Sequence, residues 1–167
     1  KLTEQMEIGR DYCIKYHVSL ADLSKYATNH LGAAITDEPI AANNSDILPV
    51  KNTIESKLLT IYDQQYYWTP MCGIYTARGG EQYLTIGNFT ADEELKTIKV
   101  RRPKGFNKPQ KYNAYYYIDN VSITPIEEAK NCNCDVVEGM ENVKVVKSGF
   151  GSEDSEDAIK LKIINSD

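Results

Sequence analysis

The chain has 167 residues, a formal net charge of −5, and 12 tyrosines against three phenylalanines and one tryptophan. This length allows one well-cored domain with an appendage. No apolar run approaches the roughly 18 residues that a membrane helix needs, so the composition argues against insertion into a membrane. Residues 127–167 carry 10 acidic and 5 basic side chains, which leaves residues 1–126 neutral.

The first predicted element is a strand at residues 12–19, where apolar and polar side chains alternate. The inward set of this strand is Tyr12, Ile14, Tyr16 and Val18. The outward set is Cys13, Lys15, His17 and Ser19. Residues 20–30 are predicted to form one or two helical turns capped by the Ser19 hydroxyl. A second strand follows at residues 31–36.

The middle of the chain is predicted to contain a hairpin. Residues 37–52 are rich in Asn, Asp and Pro without a period, which is typical of a long loop. A short strand is predicted at residues 58–62 and a longer one at 66–77. Because a Gly-Gly turn at 78–81 leads into another β-favouring run at 83–89, we expect these two segments to pair.

Residues 90–113 form a long polar excursion in which only residues 97–100 look extended. The excursion holds a run of cations with no acid inside it: Lys96, Lys99, Arg101, Arg102, Lys104, Lys108 and Lys111. A solvated loop is the preferred interpretation, because neither an aromatic RNA-binding motif nor a recognition helix accompanies the run. We therefore expect no nucleic-acid partner.

Residues 115–123 are the densest β-favouring run, and Pro125 is expected to stop ladder pairing beyond it. Alternation assigns the core face to Tyr115, Tyr117, Asp119, Val121 and Ile123. The outer face is then Tyr116, Ile118, Asn120 and Ser122. A carboxylate on the core face must be neutralised, hydrogen-bonded by backbone N–H groups or bound to a cation. Asp119 is therefore a candidate site residue.

The four cysteines leave several pairings open. Cys132 and Cys134 are too close in sequence to pair easily, and as a pair they supply too few ligands for a zinc site. Cys13 and Cys72 both fall in predicted strands, where they are either inert core thiols or a cross-strand disulfide. Free thiols are the preferred interpretation.

The character of the chain changes after Pro125. Residues 127–139 are acidic, and two short apolar runs at 143–147 and 159–164 flank a loop rich in Gly, Ser, Glu and Asp. We divide the chain into an all-β domain at residues 1–126 and an acidic linker or hairpin at 127–167. Strands at uneven spacing with long loops and almost no helix favour a β-sandwich.

Three blocks, YCIKYHVSLADLSKYATNHLGA, GIYTARGGEQYLTIGNF after a Trp, and YYYIDNVSI, are followed by a Cys-rich exit. In this order and spacing they resemble the galactose-binding-like jelly roll that precedes an OmpA-like peptidoglycan-binding domain in outer-membrane-associated proteins of the Bacteroidota. The resemblance covers residues 1–126. It implies a jelly-roll β-sandwich that is incomplete at its N-terminus and an OmpA-like domain beyond these residues.

Several expectations follow from this resemblance. The strand at 12–19 should have a neighbour from outside residues 1–167. The protein should lie in the envelope of a Gram-negative bacterium, associated with the outer membrane, and reach peptidoglycan only through the absent domain. Sugar-binding members often carry an acidic pair near a structural calcium, which suggests a calcium site at Asp119 and Asn120. Here the second acid is replaced by Asn120, whose carbonyl still suits calcium.

Three classes of function compete. The first is a non-enzymatic interaction and anchoring module with protein partners in the outer membrane or periplasm, because long loops on a rigid sandwich present adaptable surface. The second is a carbohydrate-binding module that stacks glycan on Trp68 with Tyr66 and Tyr67, or on Tyr116 beside His17 and Lys15. The preferred interpretation of these rings is nevertheless packing within the sandwich. An enzyme is least supported, because no hydrolase or metalloprotease motif occurs.

Overall fold

The computed structural model describes residues 1–40, Ile47, Val50, residues 54–55 and residues 60–134, and over these it is all-β. The strands are β1 (Asp11–Leu20), β2 (Tyr26–Thr28), β3 (Leu31–Thr36), β4 (Ile54–Glu55), β5 (Thr69–Thr76), β6 (Tyr83–Asn88), β7 (Thr97–Lys99) and β8 (Tyr116–Ile126). Short 3₁₀ turns lie at Asp92–Glu94 and Ala129–Cys132. In this part of the chain no helix is long and apolar enough to cross a membrane.

The strands form three antiparallel sheets, with orders β5-β1-β8, β4-β3-β6 and β2-β7. Strand β1 is central, since β5 pairs with one of its edges and β8 with the other. The expectation that this strand needs a neighbour from outside the chain is therefore wrong. Both neighbours come from distant parts of the same sequence.

The hydrophobic core lies between the two three-stranded sheets. It is built from Met6, Tyr12, Ile14, Tyr16, Val18, Leu31, Ala33, Ile35, Ile54, Tyr62, Met71 and Ala77. All four predicted inward residues of β1 belong to it, so the inward set is confirmed, whereas Cys13 and Ser19 of the predicted outward set are buried as well. A Cβ at Gly73 would lie 2.9 Å from Ile54 Cγ1, so glycine at this position of β5 lets the facing sheet approach closely.

Two predicted local structures are wrong. Residues 20–30 contain the strand β2 instead of a helix, because tertiary pairing with β7 satisfies their backbone groups. The segments on either side of the Gly-Gly turn do not form a hairpin: β5 pairs with β1, whereas β6 pairs with β3 in the other sheet. The turn is a crossover between sheets. Predictions for residues 41–46 and 135–167, including the runs at 143–147 and 159–164, lie outside the described residues, as do residues 58–59 of the predicted strand at 58–62. Residues 60–62 of that prediction are described, and they are not part of a strand.

Strand β8 carries a bulge that exchanges its faces. Between Lys15 and His17 on β1 the register shifts, so that Asp119 pairs with His17 but Ser122 pairs with Lys15. Asn120 takes a positive φ of 51° there, which asparagine tolerates better than most residues. As a result both Tyr116 and Ile123 pack toward the core, although a regular strand would place an even-numbered and an odd-numbered residue on opposite faces.

The predicted faces of β8 are therefore wrong for its first half. Tyr115, Tyr117 and Val121 are exposed, and Tyr116 is half-buried against the core. The strand also continues through Pro125, which lies opposite Tyr12. Proline is tolerated because β8 is an edge strand, whose outward N–H groups need no ladder partner.

Candidate binding cleft

An open cleft of about 650 Å³ lies at the end of the molecule where β1 stops and β8 begins. Its lining is Val18, Tyr26, Thr28, Leu31, Ile86, Gly87, Asn88, Asp92, Leu95, Thr97, Asn113, Ala114, Tyr116 and Ile118. The volume falls in the usual range of ligand sites, and the mixture of apolar walls with a few amide and hydroxyl groups is typical of them. Within the described lining Asp92 is the single carboxylate.

Tyr116 forms part of the cleft wall, and its orientation is fixed. Its hydroxyl accepts a hydrogen bond from the Thr28 N–H at 2.9 Å and donates to the Thr28 carbonyl at 3.3 Å. Burial raises the pKa of Tyr116 to about 12, so the phenol stays neutral at physiological pH. The cleft wall thus carries an aromatic ring that is already held in place and can contact a ligand without first becoming ordered.

The other predicted sugar-stacking residues lie elsewhere. Tyr66 and Tyr67 are exposed and Trp68 is half-buried, in the segment that leads into β5, and none of the three lines the cleft. Tyr116 is opposite Leu20 on β1, while His17 pairs with Asp119. A platform of Tyr116 beside His17 and Lys15 is therefore wrong, because Tyr116 points to the core face and those two side chains belong to the outer face.

Asp119 and Asn120, the predicted calcium ligands, lie in the bulge of β8. Asp119 is half-buried, and its Oδ1 accepts a hydrogen bond from the Asn120 N–H at 2.7 Å. Asn120 is exposed. No trio of His, Cys, Asp or Glu side chains converges on Asp119 in the described ranges. The premise that this carboxylate belongs to the core is thus wrong, and the bulge is the physical reason.

His17 is the titratable neighbour of this bulge. Burial lowers the pKa of His17, and the Asp119 carboxylate opposes that shift. His17 Nδ1 is buried without a hydrogen-bond partner. The imidazole is therefore held neutral beside a carboxylate on the outer face of the sheet, away from the cleft.

The cysteines correct a second expectation. All four are paired, as Cys13–Cys132 and Cys72–Cys134, so the preference for free thiols is wrong. The turn at Ala129–Cys132 crosses from β8 over β1 and β5 and brings the CNC element onto the outer face of the sheet. The Sγ atoms of Cys72 and Cys132, which belong to different disulfides, are 3.7 Å apart. Two cysteines separated by a single residue can thus each form a disulfide with a cysteine on a different strand instead of with each other.

Glu81 was not identified from the sequence, although it is the most completely buried carboxylate among the described residues, at 1% exposure. It accepts hydrogen bonds from the Tyr75 hydroxyl and from the N–H groups of Arg78 and Gly79. Burial alone would raise its pKa, but these donors outweigh burial and lower the pKa to about 2. The sequence does contain a signal for this site, because Glu81 directly follows a Gly-Gly pair. A turn at such a pair leaves backbone N–H groups without ladder partners, and these can donate to a nearby carboxylate.

In comparisons with known proteins, no family model matches the chain, and neither a curated protein nor a solved structure matches it.

Proposed function

We propose that this chain is a non-enzymatic interaction module of a protein that works outside the cytoplasm, in the cell envelope of a Gram-negative bacterium. The supporting observation is an open cleft carried on a scaffold that two disulfides tie together. Disulfides persist in oxidising compartments and are rare in cytosolic proteins. The jelly-roll fold, the association with the outer membrane and an anchoring OmpA-like domain that reaches peptidoglycan come into this proposal from the sequence resemblance.

Binding accounts for the cleft better than catalysis does. Neither described histidine lines it, and Asp92 stands without a second carboxylate in the described lining. Glycoside hydrolysis in most families needs two carboxylates across the scissile bond. What the lining offers is apolar surface from Leu31 and Ile86 together with the amides of Asn88 and Asn113. Such a surface holds a ligand without acting on it.

Cross-linking in native cells tests this proposal. A photo-reactive amino acid replaces Ala114, which is exposed and lines the cleft. The matched control places the same group at the exposed Glu4, which is not part of the cleft lining. We expect adducts in the envelope fraction from position 114 and not from position 4. Recovery of the protein in the cytoplasm with free thiols would overturn the proposal.

A second candidate, carbohydrate binding, is favoured by the exposed tyrosines Tyr66 and Tyr67 and by Tyr116 in the cleft. Aromatic faces stack on sugar rings, and amides bind the ring hydroxyls. A glycan array distinguishes the two surfaces. Loss of retention in Tyr67→Ala would assign the site to the segment before β5, whereas loss in Ala114→Trp would assign it to the cleft. No retention by the unsubstituted protein would exclude this candidate.

A further inference from the structure

Strand β7 and the segment that follows it toward β8 carry a dense positive charge. We call residues 96–111 the basic ribbon; its seven cations are Lys96, Lys99, Arg101, Arg102, Lys104, Lys108 and Lys111. All seven side chains are exposed, and none of them forms an ion pair within the described part of the chain. Within the described residues no acidic side chain neutralises this charge, so it can act on a ligand.

Backbone and amide hydrogen bonds hold the beginning of the ribbon in place. Strand β7 pairs with β2, so that Lys99 lies opposite Tyr26. Just before β7, the Lys96 N–H donates to Asn29 Oδ1 at 2.9 Å, and the Lys96 carbonyl accepts from the Thr28 hydroxyl at 3.2 Å. This end of the ribbon is therefore fixed to the strand that borders the cleft.

The far end of the ribbon returns to the segment just before β2. The Lys111 N–H donates to the Leu23 carbonyl at 2.8 Å. Gln110 closes the loop, because its Nε2 donates to the carbonyls of Ser24 at 2.9 Å and Val100 at 3.0 Å. With both ends fixed, the cations are displayed on a preorganised surface, which lowers the ordering cost of binding.

The ribbon is continuous with the cleft. Tyr26 and Thr97, which lie on the paired strands β2 and β7, both line the cleft. Beside the far end of the ribbon, Tyr112 is 82% exposed and its ring contacts that of Tyr26, with centroids 6.4 Å apart. An aromatic pair, amide groups in the cleft and a row of cations thus occur on one surface.

We propose that the basic ribbon and the cleft together bind an anionic polysaccharide, one that carries carboxylate or sulfate groups on its sugar rings. This inference rests on the carbohydrate-binding candidate above and deepens it. The rings would meet Tyr26 and Tyr112, the hydroxyls would meet the amides of Asn88 and Asn113, and the acid groups would meet the ribbon. Nucleic acid fits less well, because disulfides are rare in cytosolic proteins, which work in the compartment that holds most of a bacterium's nucleic acid.

A matched pair of polymers tests the charge requirement. Binding of the whole chain is measured to polygalacturonate and to its fully methyl-esterified form, which keeps the backbone and removes the charge. We expect retention of polygalacturonate at least about tenfold tighter than retention of the ester, and a steep loss of this preference as salt is raised. Equal retention of both polymers would overturn this inference while leaving carbohydrate binding intact.

Variants then locate the surface. Replacing Arg101 and Arg102 by Gln should weaken polygalacturonate binding by about tenfold, since each exposed contact contributes modestly. The control replaces Lys1 and Lys130 by Gln, which makes the same change in net charge at exposed positions outside the ribbon. Ala114→Trp, which fills the cleft without altering charge, should weaken binding as well. Thermal unfolding of each variant confirms that the fold is unchanged.

Binding to other polyanions tests whether the surface is specific for a polysaccharide. An oligothymidylate and vesicles containing phosphatidylglycerol are measured at the same salt, in wild type and in Ala114→Trp. Weaker binding of both, insensitive to the cleft variant, would support the polysaccharide. Equal or tighter binding of either probe, or an equal loss in the control pair, would overturn the inference. No retention of any polysaccharide would remove the carbohydrate candidate itself, while the envelope location would still be decided by cross-linking.

Discussion

The two ends of the molecule differ in how tightly they are closed. At the closed end, where β1 begins and β5 stops, Cys13 forms a disulfide with Cys132. There the Glu81 carboxylate also accepts hydrogen bonds from backbone N–H groups of the turn that follows β5. The segment before β1 also packs there, with the Met6 N–H donating to the Glu81 carbonyl. At the open end, where β1 stops, the chain forms the cleft and the basic ribbon, whose cations form no ion pair with another described residue.

This difference suggests that the closed end contributes mainly to stability and the open end mainly to binding. Buried hydrogen bonds and covalent links raise the free energy of unfolding, whereas exposed cations that repel one another add nothing to it. We therefore expect substitutions at the closed end to change stability and leave binding unaltered. Substitutions at the open end should do the reverse.

The largest expected effect is removal of the Cys13–Cys132 disulfide. The link spans 119 residues of sequence, and loss of a native disulfide typically costs about 2 to 5 kcal/mol because the unfolded chain gains entropy. Replacing both cysteines by Ser should lower the free energy of unfolding by that amount in urea titrations. The same loss in the variant lacking Cys72–Cys134 would show that both links act alike, whereas an unchanged midpoint would contradict the closed end as a source of stability.

The next effect is expected at Glu81. Because the pKa of Glu81 is lowered to about 2 in the folded chain, its ionised form stabilises the fold above pH 4.5, and this contribution disappears as pH falls toward 2. Glu81→Gln should cost about 3 kcal/mol at pH 7 and progressively less below pH 4.5. The matched control is Glu7→Gln, at an exposed i,i+3 ion pair with Arg10, which should cost under about 0.5 kcal/mol.

The sequence could predict the longer strands but not how they combine. Alternation located β1 and its core face, because a strand with one buried face reveals itself locally. It could not show that Glu81 sits at a crossover between sheets, since a Gly-Gly turn fits a hairpin equally well. Nor could it show the bulge at Asn120, where one additional residue exchanges the faces of β8 and moves Tyr116 into the cleft wall.

Tyr116 contributes to both binding and stability, because it lines the cleft and its hydroxyl is hydrogen-bonded to the backbone of Thr28. Tyr116→Phe removes the acceptor of the Thr28 N–H and should cost about 1 to 2 kcal/mol. The control, Tyr112→Phe, removes a hydroxyl from a side chain that is 82% exposed and should leave the melting temperature unchanged. Equal losses in the two variants would show that the hydroxyl of Tyr116 has no structural role.

The smallest effect is expected at Asp119, which lies in the bulge instead of the core. Since its carboxylate is half-buried and accepts the Asn120 N–H, Asp119→Ala should cost about 1 kcal/mol or less. A chelator should leave the melting temperature of the wild type unchanged; a drop of several degrees would instead indicate a bound calcium ion that stabilises the fold by mass action. The variant also removes the charge that opposes the lowered pKa of His17. NMR titration of His17 should therefore show its pKa falling further in Asp119→Ala, and a rise would contradict the pairing of these two side chains across β1 and β8.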